Sequence, residues 1–289
     1  MTHALRFLII DGYSPQSRAN LEKAGMTLAW KLYADMLLQH QAHAVYDVLF
    51  PSDPGFVFPQ MQDLEAYAGI IWTGCDLSIN DTDNPSVSGQ IRLAQQAYEV
   101  GVPSFGSCWG LQMAVVAAGG SVEPNPRGRE MGMARKMSLT PEGMAHPMYR
   151  GKPAVFEGFI SHDDMVTDMP APCIRLAGND FTHVQAVTVT HKNGSFWAVQ
   201  YHPEYNLFEM ARLIVAREEK LIRYGYFRGH RDLVELVQRM EALAVEPERK
   251  DLRWQLAIDD DVLDDSIRQC EFVNWLNKLV IPYAGAIVR

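Results

Sequence analysis

The amino-acid sequence predicts an α/β fold, an open and mostly parallel sheet with helices on both faces, followed by a C-terminal helical extension. Short apolar runs alternate with helical patterns from Phe7 to Ala118, as in a parallel sheet covered on both sides. Short β-rich pieces then run from Gly132 to Trp197, and two amphipathic stripes close the chain.

Phe7 to Ile10 read as a buried strand stopped by Asp11, and Ser17 to Gln41 read as one long helix. A second strand around Ala44 to Phe50 ends at Pro51. Ala68 to Trp72 form a third apolar run, which Thr73-Gly74 turn. Pro85 to Val100 is helical in pattern, Val102 to Phe105 a brief strand, and Leu111 to Ala118 a helix stopped by Gly119-Gly120. The later β pieces are Ala134 to Leu139, Val155 to Ile160, Cys173 to Ala177, Gln185 to Thr190 and Phe196 to Gln200.

These elements place one domain at residues 1–208 and a helical extension at 209–289. Leu233, Leu236, Val237, Met240 and Leu243 form one stripe, and Ile267, Cys270, Val273, Leu276 and Val280 another. The acidic run from Asp259 to Asp265 between them reads as solvated or helix-capping, with a docking surface as the sharper alternative. Phe272 and Trp275, beyond the second stripe, read as a contact surface. The extension is expected to control access to the site or dock a partner, with both stripes merely covering apolar area on the domain as the bland alternative, and truncation after Val245 is expected to leave a soluble protein.

A chain of 289 residues, 47% of them hydrophobic, is long enough for one large core. With 26 basic residues against 35 acidic ones and a net charge of -9, no overall basic stripe for nucleic acid exists. Four cysteines without zinc-finger or disulfide-framework spacing fit a reducing cytoplasm. The first residues carry neither a signal-peptide pattern nor a membrane span, so a cytoplasmic, soluble protein is expected. Neither a metal site nor a cofactor is expected, because no phosphate-cradling loop or His/Cys cluster occurs.

The chemistry concentrates in two segments. Gly106-Ser107-Cys108-Trp109-Gly110 follows a strand and opens a helix, so Cys108 sits on a sharp turn that needs small residues two before and two after it. A helix N-terminus there favours thiolate over thiol. In Gln200-Tyr201-His202-Pro203-Glu204, positions two apart in extended backbone face one way, so Glu204 can orient His202 as a proton relay for Cys108. The Trp109 N–H supplies one oxyanion donor, and the Gly74 loop is placed to supply a second. Cys75 reads as spectator or pocket wall. The basic cluster at 127, 129, 135 and 136 reads as a solvated face.

Together these segments resemble the class I glutamine amidotransferases, especially the amidotransferase domain of GMP synthetases. The likeness runs from about residue 40 to 205, through Gly106–Gln112, Val199–Glu204, Glu130-Met131-Gly132 and Ser161–Val166. It implies a flavodoxin-like domain in which the Glu130–Gly132 backbone holds the α-groups of glutamine while Gln112 and Asp164 line or support the pocket. The family loop carries two glycines and a proline where this chain has Gly74-Cys75-Asp76, so the donor there is Gly74 itself or forms on loop movement. No ATP-pyrophosphatase signature follows. The expected substrate is L-glutamine or another γ-glutamyl compound. Ammonia then goes to a separate synthetase subunit, or the chain acts alone as a γ-glutamyl hydrolase or transferase. A non-enzymatic interaction module is the third alternative, against which the intact Cys108, His202 and Glu204 argue. Oligomeric state stays open.

Overall fold

The computed structural model describes residues 4–171 and 173–287; the N-terminal reading begins on residues 1–3, outside the described residues. Strand β1 (Arg6–Ile10) leads through α1 (Pro15–Lys23) to α2 (Ala29–His40), two helices where the pattern predicts one. The division falls at Gly25, whose φ of +80° takes the chain out of the helix, a conformation glycine adopts without Cβ strain. The Asp11 carboxylate then accepts from the Trp30 amide at the start of α2, at 3.2 Å, and from the Tyr13 amide at 3.0 Å.

Next come β2 (Val45–Leu49), β3 (Gly69–Trp72), α3 (Pro85–Val100), β4 (Ser104–Ser107) and α4 (Trp109–Ala117). The second half adds β5 (Ser121–Pro124), β6 (Glu130–Leu139), α5 (Pro141–Ala145), β7 (Val155–His162), β8 (Asp164–Asp168), β9 (Cys173–Gly178), β10 (Ala186–His191) and β11 (Gly194–Val199). Nine strands form one sheet in the order β2-β1-β3-β4-β11-β10-β9-β6-β7. The β2-β1-β3-β4-β11 half is parallel, and the pairings beyond β11 are antiparallel.

Side chains alternate across the sheet. Leu8, Ile10, Ile70, Trp72 and Ala198 pack on one face with Leu93 and Ala94 of α3 and Leu111 and Val115 of α4. Phe7, Ile9, Ile71, Phe105 and Val199 pack on the other face with Tyr33 and Leu37 of α2.

That second face also receives the end of the chain. After α6 (Leu207–Ala216), α7 (Glu218–Arg223), α8 (His230–Val245) and α9 (Lys250–Leu256) come α10 (Asp260–Leu263), α11 (Asp265–Arg268) and α12 (Cys270–Trp275). A π-helical turn at Leu276–Val280 then leads into α13 (Ile281–Ile287). The first stripe lies along α8, with Leu233, Val237, Met240 and Leu243 buried, whereas the second is broken over several short helices. Phe272 and Trp275 are fully buried against Phe7 and Phe105, so they are core and not the contact surface their sequence context suggests. Lys152 and Glu271, both buried, pair at 3.0 Å between the segment after α5 and α12. In the acidic run, Asp259 and Asp264 accept from the amides that open α10 and α11, and Arg253 bridges Asp259 and Asp260. No described helix is long and apolar enough to cross a membrane.

Candidate active site

Strands β4 and β11 are parallel neighbours with Ser107 opposite Val199. Because their directions agree, their carboxyl ends lie side by side, where open α/β sheets present ligand sites. Cys108 is the first residue past that pair and His202 the third. The Cys108 amide donates to the Val199 carbonyl at 2.8 Å, and the His202 amide to the Phe159 carbonyl of β7 at 2.8 Å.

At Cys108 the backbone turns sharply, with φ +51° and ψ -98°, strain that a non-glycine residue tolerates only when its surroundings impose it. Gly106 and Gly110 make the turn possible. A Cβ on Gly106 would lie 2.7 Å from the Gly110 Cα, and one on Gly110 would lie 2.9 Å from the Trp72 carbonyl oxygen. The chain enters α4 at once, two residues before the predicted start, so the Trp109 amide is among the donors a helix N-terminus leaves without intrahelical partners.

His202 Nδ1 lies 2.7 Å from Glu204 Oε1, which also accepts from Ser107 Oγ at 3.0 Å. Tyr205 stacks on the imidazole with centroids 4.1 Å apart and planes 2° from parallel. All three of His202, Glu204 and Tyr205 are buried. Burial opposes charge on the imidazole. The Glu204 charge, with its hydrogen bond to the ring and the neighbouring Cys108, outweighs it and raises the His202 pKa from 6.5 to about 9.

Gly74, two residues past β3, fits against the same pair. A Cβ there would lie 2.8 Å from His202 Cε1 and 3.8 Å from Cys108 Cβ. Neither Gly74 nor Cys75 has a positive φ, so the cysteine in this loop needs no left-handed backbone. Cys75 is a wall of the pocket. Burial pushes its thiol well above the usual range, unlike what a nucleophile requires.

A narrow cavity of about 50 Å³ opens over Cys108. Gln112 and Asp164 line it, as the sequence motifs imply; Glu130 and Gly132 do not. The Glu130 carboxylate is turned inward, accepting from Asn179 at 2.8 Å, Thr182 at 2.8 Å and Gln185 at 2.9 Å and lying 3.1 Å from His162 Nε2. The other His162 nitrogen lies 2.7 Å from the Asp164 carbonyl, so both ring nitrogens serve this internal network. Gly132, with φ +90°, pairs with Ile160 in the β6–β7 ladder.

The cavity also contains Ser161 and Asp163, which lie in the Ser161–Val166 motif without an assigned role, and Arg129, Arg217 and Lys220, which the sequence reading does not place at the site. Arg129 therefore belongs to the site and not to a solvated basic face. Asp163 is shared between Arg129 and Lys220. Arg217 and Lys220 come from the α6–α7 region, past residue 208, where no local motif marks them.

A thiol on a strained elbow, a buried His–Glu pair and free helix amides form the equipment of a thiol amidase. The comparisons agree with that class. Residues 65–219 match the family model described as glutamine amidotransferase class-I, so the chain belongs to that family and is an enzyme. It is 33% identical over 286 residues to the γ-glutamyl-L-1-hydroxyisopropylamide hydrolase of a Pseudomonas species, covering 97% of this chain and 95% of that protein. It is 35% identical over 136 residues to the glutamine-hydrolysing GMP synthase of Enterococcus faecalis, but there the match spans 47% of this chain and 24% of the synthase. A solved glutamine amidotransferase from Thermotoga maritima shares the fold with a TM-score of 0.65 at 18% identity, covering 96% of this chain and 99% of that one.

Proposed function

We propose that the enzyme is a free-standing hydrolase of γ-glutamyl amides, taking glutamine or an N-substituted γ-glutamyl amide to glutamate. The convergence of Cys108, His202 and Glu204 on the ends of β4 and β11 carries the chemistry. Cys108 gives its proton to His202 and its Sγ attacks the γ-carbonyl carbon, and the oxyanion faces the Trp109 amide with the Gly74 loop beside it. As the C–N bond breaks, His202 gives its proton to the departing amine, leaving a γ-glutamyl thioester. Water, deprotonated by His202, then attacks the thioester; the C–S bond breaks to release glutamate, and the sulfur takes the proton back from His202. Glu204 holds the imidazole orientation and charge throughout. Gln112 and Asp164 take the glutamyl group, and the internal network of Glu130 fixes the strand ends behind it.

What favours a free-standing enzyme is the likeness to the Pseudomonas hydrolase, which continues through the helical extension. Delivery of ammonia to a separate synthetase subunit is the second reading, supported by the partial likeness to the GMP synthases. The four free thiols suit a reducing, cytoplasmic setting. Turnover decides between the fates. The purified chain should release glutamate from γ-glutamyl amides at a steady rate without any partner; a rate that rises only when a synthetase is added would establish the second reading.

A further inference from the structure

The cations around Cys108 are not equivalent. Arg129 and Lys220 both bind the Asp163 carboxylate, whereas Arg217 has no ion pair among the described residues and donates only to Ser161 Oγ, at 3.2 Å. Ser161 is also the residue the sulfur faces, because its carbonyl oxygen lies 3.8 Å from Cys108 Sγ. Ser161 thus touches the nucleophile with its backbone, while its Oγ accepts from both guanidinium groups, Arg129 at 2.6 Å and Arg217 at 3.2 Å. An extended γ-glutamyl group places its α-carboxylate about 5 Å from the γ-carbonyl carbon, and Arg217 and Cys108 both line the same cavity. Asp164, on the same wall, also lacks an ion pair among the described residues.

We infer that Arg217 is the specificity residue that reads the α-carboxylate of the substrate, with Ser161 holding the guanidinium in place. The inference rests on the proposed γ-glutamyl amide chemistry. A guanidinium already saturated by a protein carboxylate could not serve, because a substrate anion would have to displace the internal one. Arg217 escapes that competition, and its place between α6 and α7 gives the C-terminal part of the chain a direct share in substrate choice.

The test compares L-glutamine with 4-aminobutanamide, which has the same amide and amino groups but no α-carboxylate. Wild-type turnover of L-glutamine examines the proposed reaction itself, and alkylation of Cys108 by iodoacetamide reports an intact nucleophile in every variant. In Arg217→Gln, kcat/KM for L-glutamine should fall about 10- to 100-fold, mainly through KM, the effect of losing a charge-assisted contact. For 4-aminobutanamide it should change less than about threefold, since the contact removed was never made. Arg217→Lys should recover part of the loss. Equal losses on both amides, or no loss on either, would overturn the assignment while leaving the reaction standing. A wild-type enzyme that alkylates at Cys108 yet hydrolyses no γ-glutamyl amide would overturn both.

Discussion

The Cys108 amide is hydrogen-bonded to the Val199 carbonyl at 2.8 Å, which ties the elbow of β4 to the end of the strand that carries His202. This bond uses backbone atoms, so the side chain of Cys108 can be changed without loosening it. Cys108→Ala should fold normally and lose amide hydrolysis by about 10⁴-fold or more, checked by glutamate release and circular dichroism. The elbow itself is strained, and Cys108→Gly should be more stable than Cys108→Ala by about 1 kcal/mol. Urea unfolding of the two variants measures that difference; equal midpoints would argue that the positive φ costs nothing here.

His202 moves the proton while Glu204 orients it. His202→Ala should therefore be more damaging than Glu204→Gln, by about 10- to 100-fold in kcat. Steady-state rates at saturating substrate decide the order. Similar rates for wild type and His202→Ala would require another base, and the internal bonds of His162 make it a poor one.

Burial disfavours the imidazolium, but the Glu204 charge and the neighbouring Cys108 hold it, so the His202 pKa lies at about 9. With a raised pKa the proton is retained below that value and lost as pH rises through it. Activity that needs this proton for the leaving amine should fall with a midpoint near pH 9 in kcat/KM. In Glu204→Gln the midpoint should move down, because the main charge that raises it is gone. A wild-type descending limb near the ordinary imidazole value of about 6.5 would contradict this assignment.

Gly74→Ala tests the close fit of the loop. The new Cβ would lie 2.8 Å from His202 Cε1, so the ring must shift. An imidazole displaced by a fraction of an ångström to an ångström should lower kcat about 100-fold with little change in unfolding midpoint. Unchanged kcat would mean that the loop moves away and supplies no fixed donor.

Trp275 lies against Phe7 and Phe105 with no exposed surface, and a Cβ on Gly69 would lie 2.9 Å from its ring. Trp275→Ala should cost about 3–5 kcal/mol. For the same reason, truncation after Val245 should give an aggregating protein, contrary to the soluble one expected from the sequence. It would strip the sheet of Phe272, Trp275, Leu276 and Val280 and leave Lys152 buried without Glu271. Size-exclusion chromatography of the truncated chain provides the check.

The sequence by itself determined the sheet, its alternation with helices and the positions of Cys108, His202 and Glu204. Those features are local: a strand-to-helix turn needs Gly106 and Gly110, and His202 and Glu204 stand two residues apart just past β11, although a turn at Pro203-Glu204, and not the extended backbone expected, brings their side chains together. The same locality explains the misses. Gly25 interrupts an apolar periodicity that otherwise continues, and Phe272 and Trp275 look alike in sequence whether they face a partner or their own core. Only the tertiary structure decided that the final helices cover the sheet, that Glu130 turns inward, and that Arg129, Arg217 and Lys220 meet over Cys108. Which cation is bound to a carboxylate and which is free depends on the packing of β7 against the α6–α7 junction, two segments brought together by folding over a separation that no periodicity records.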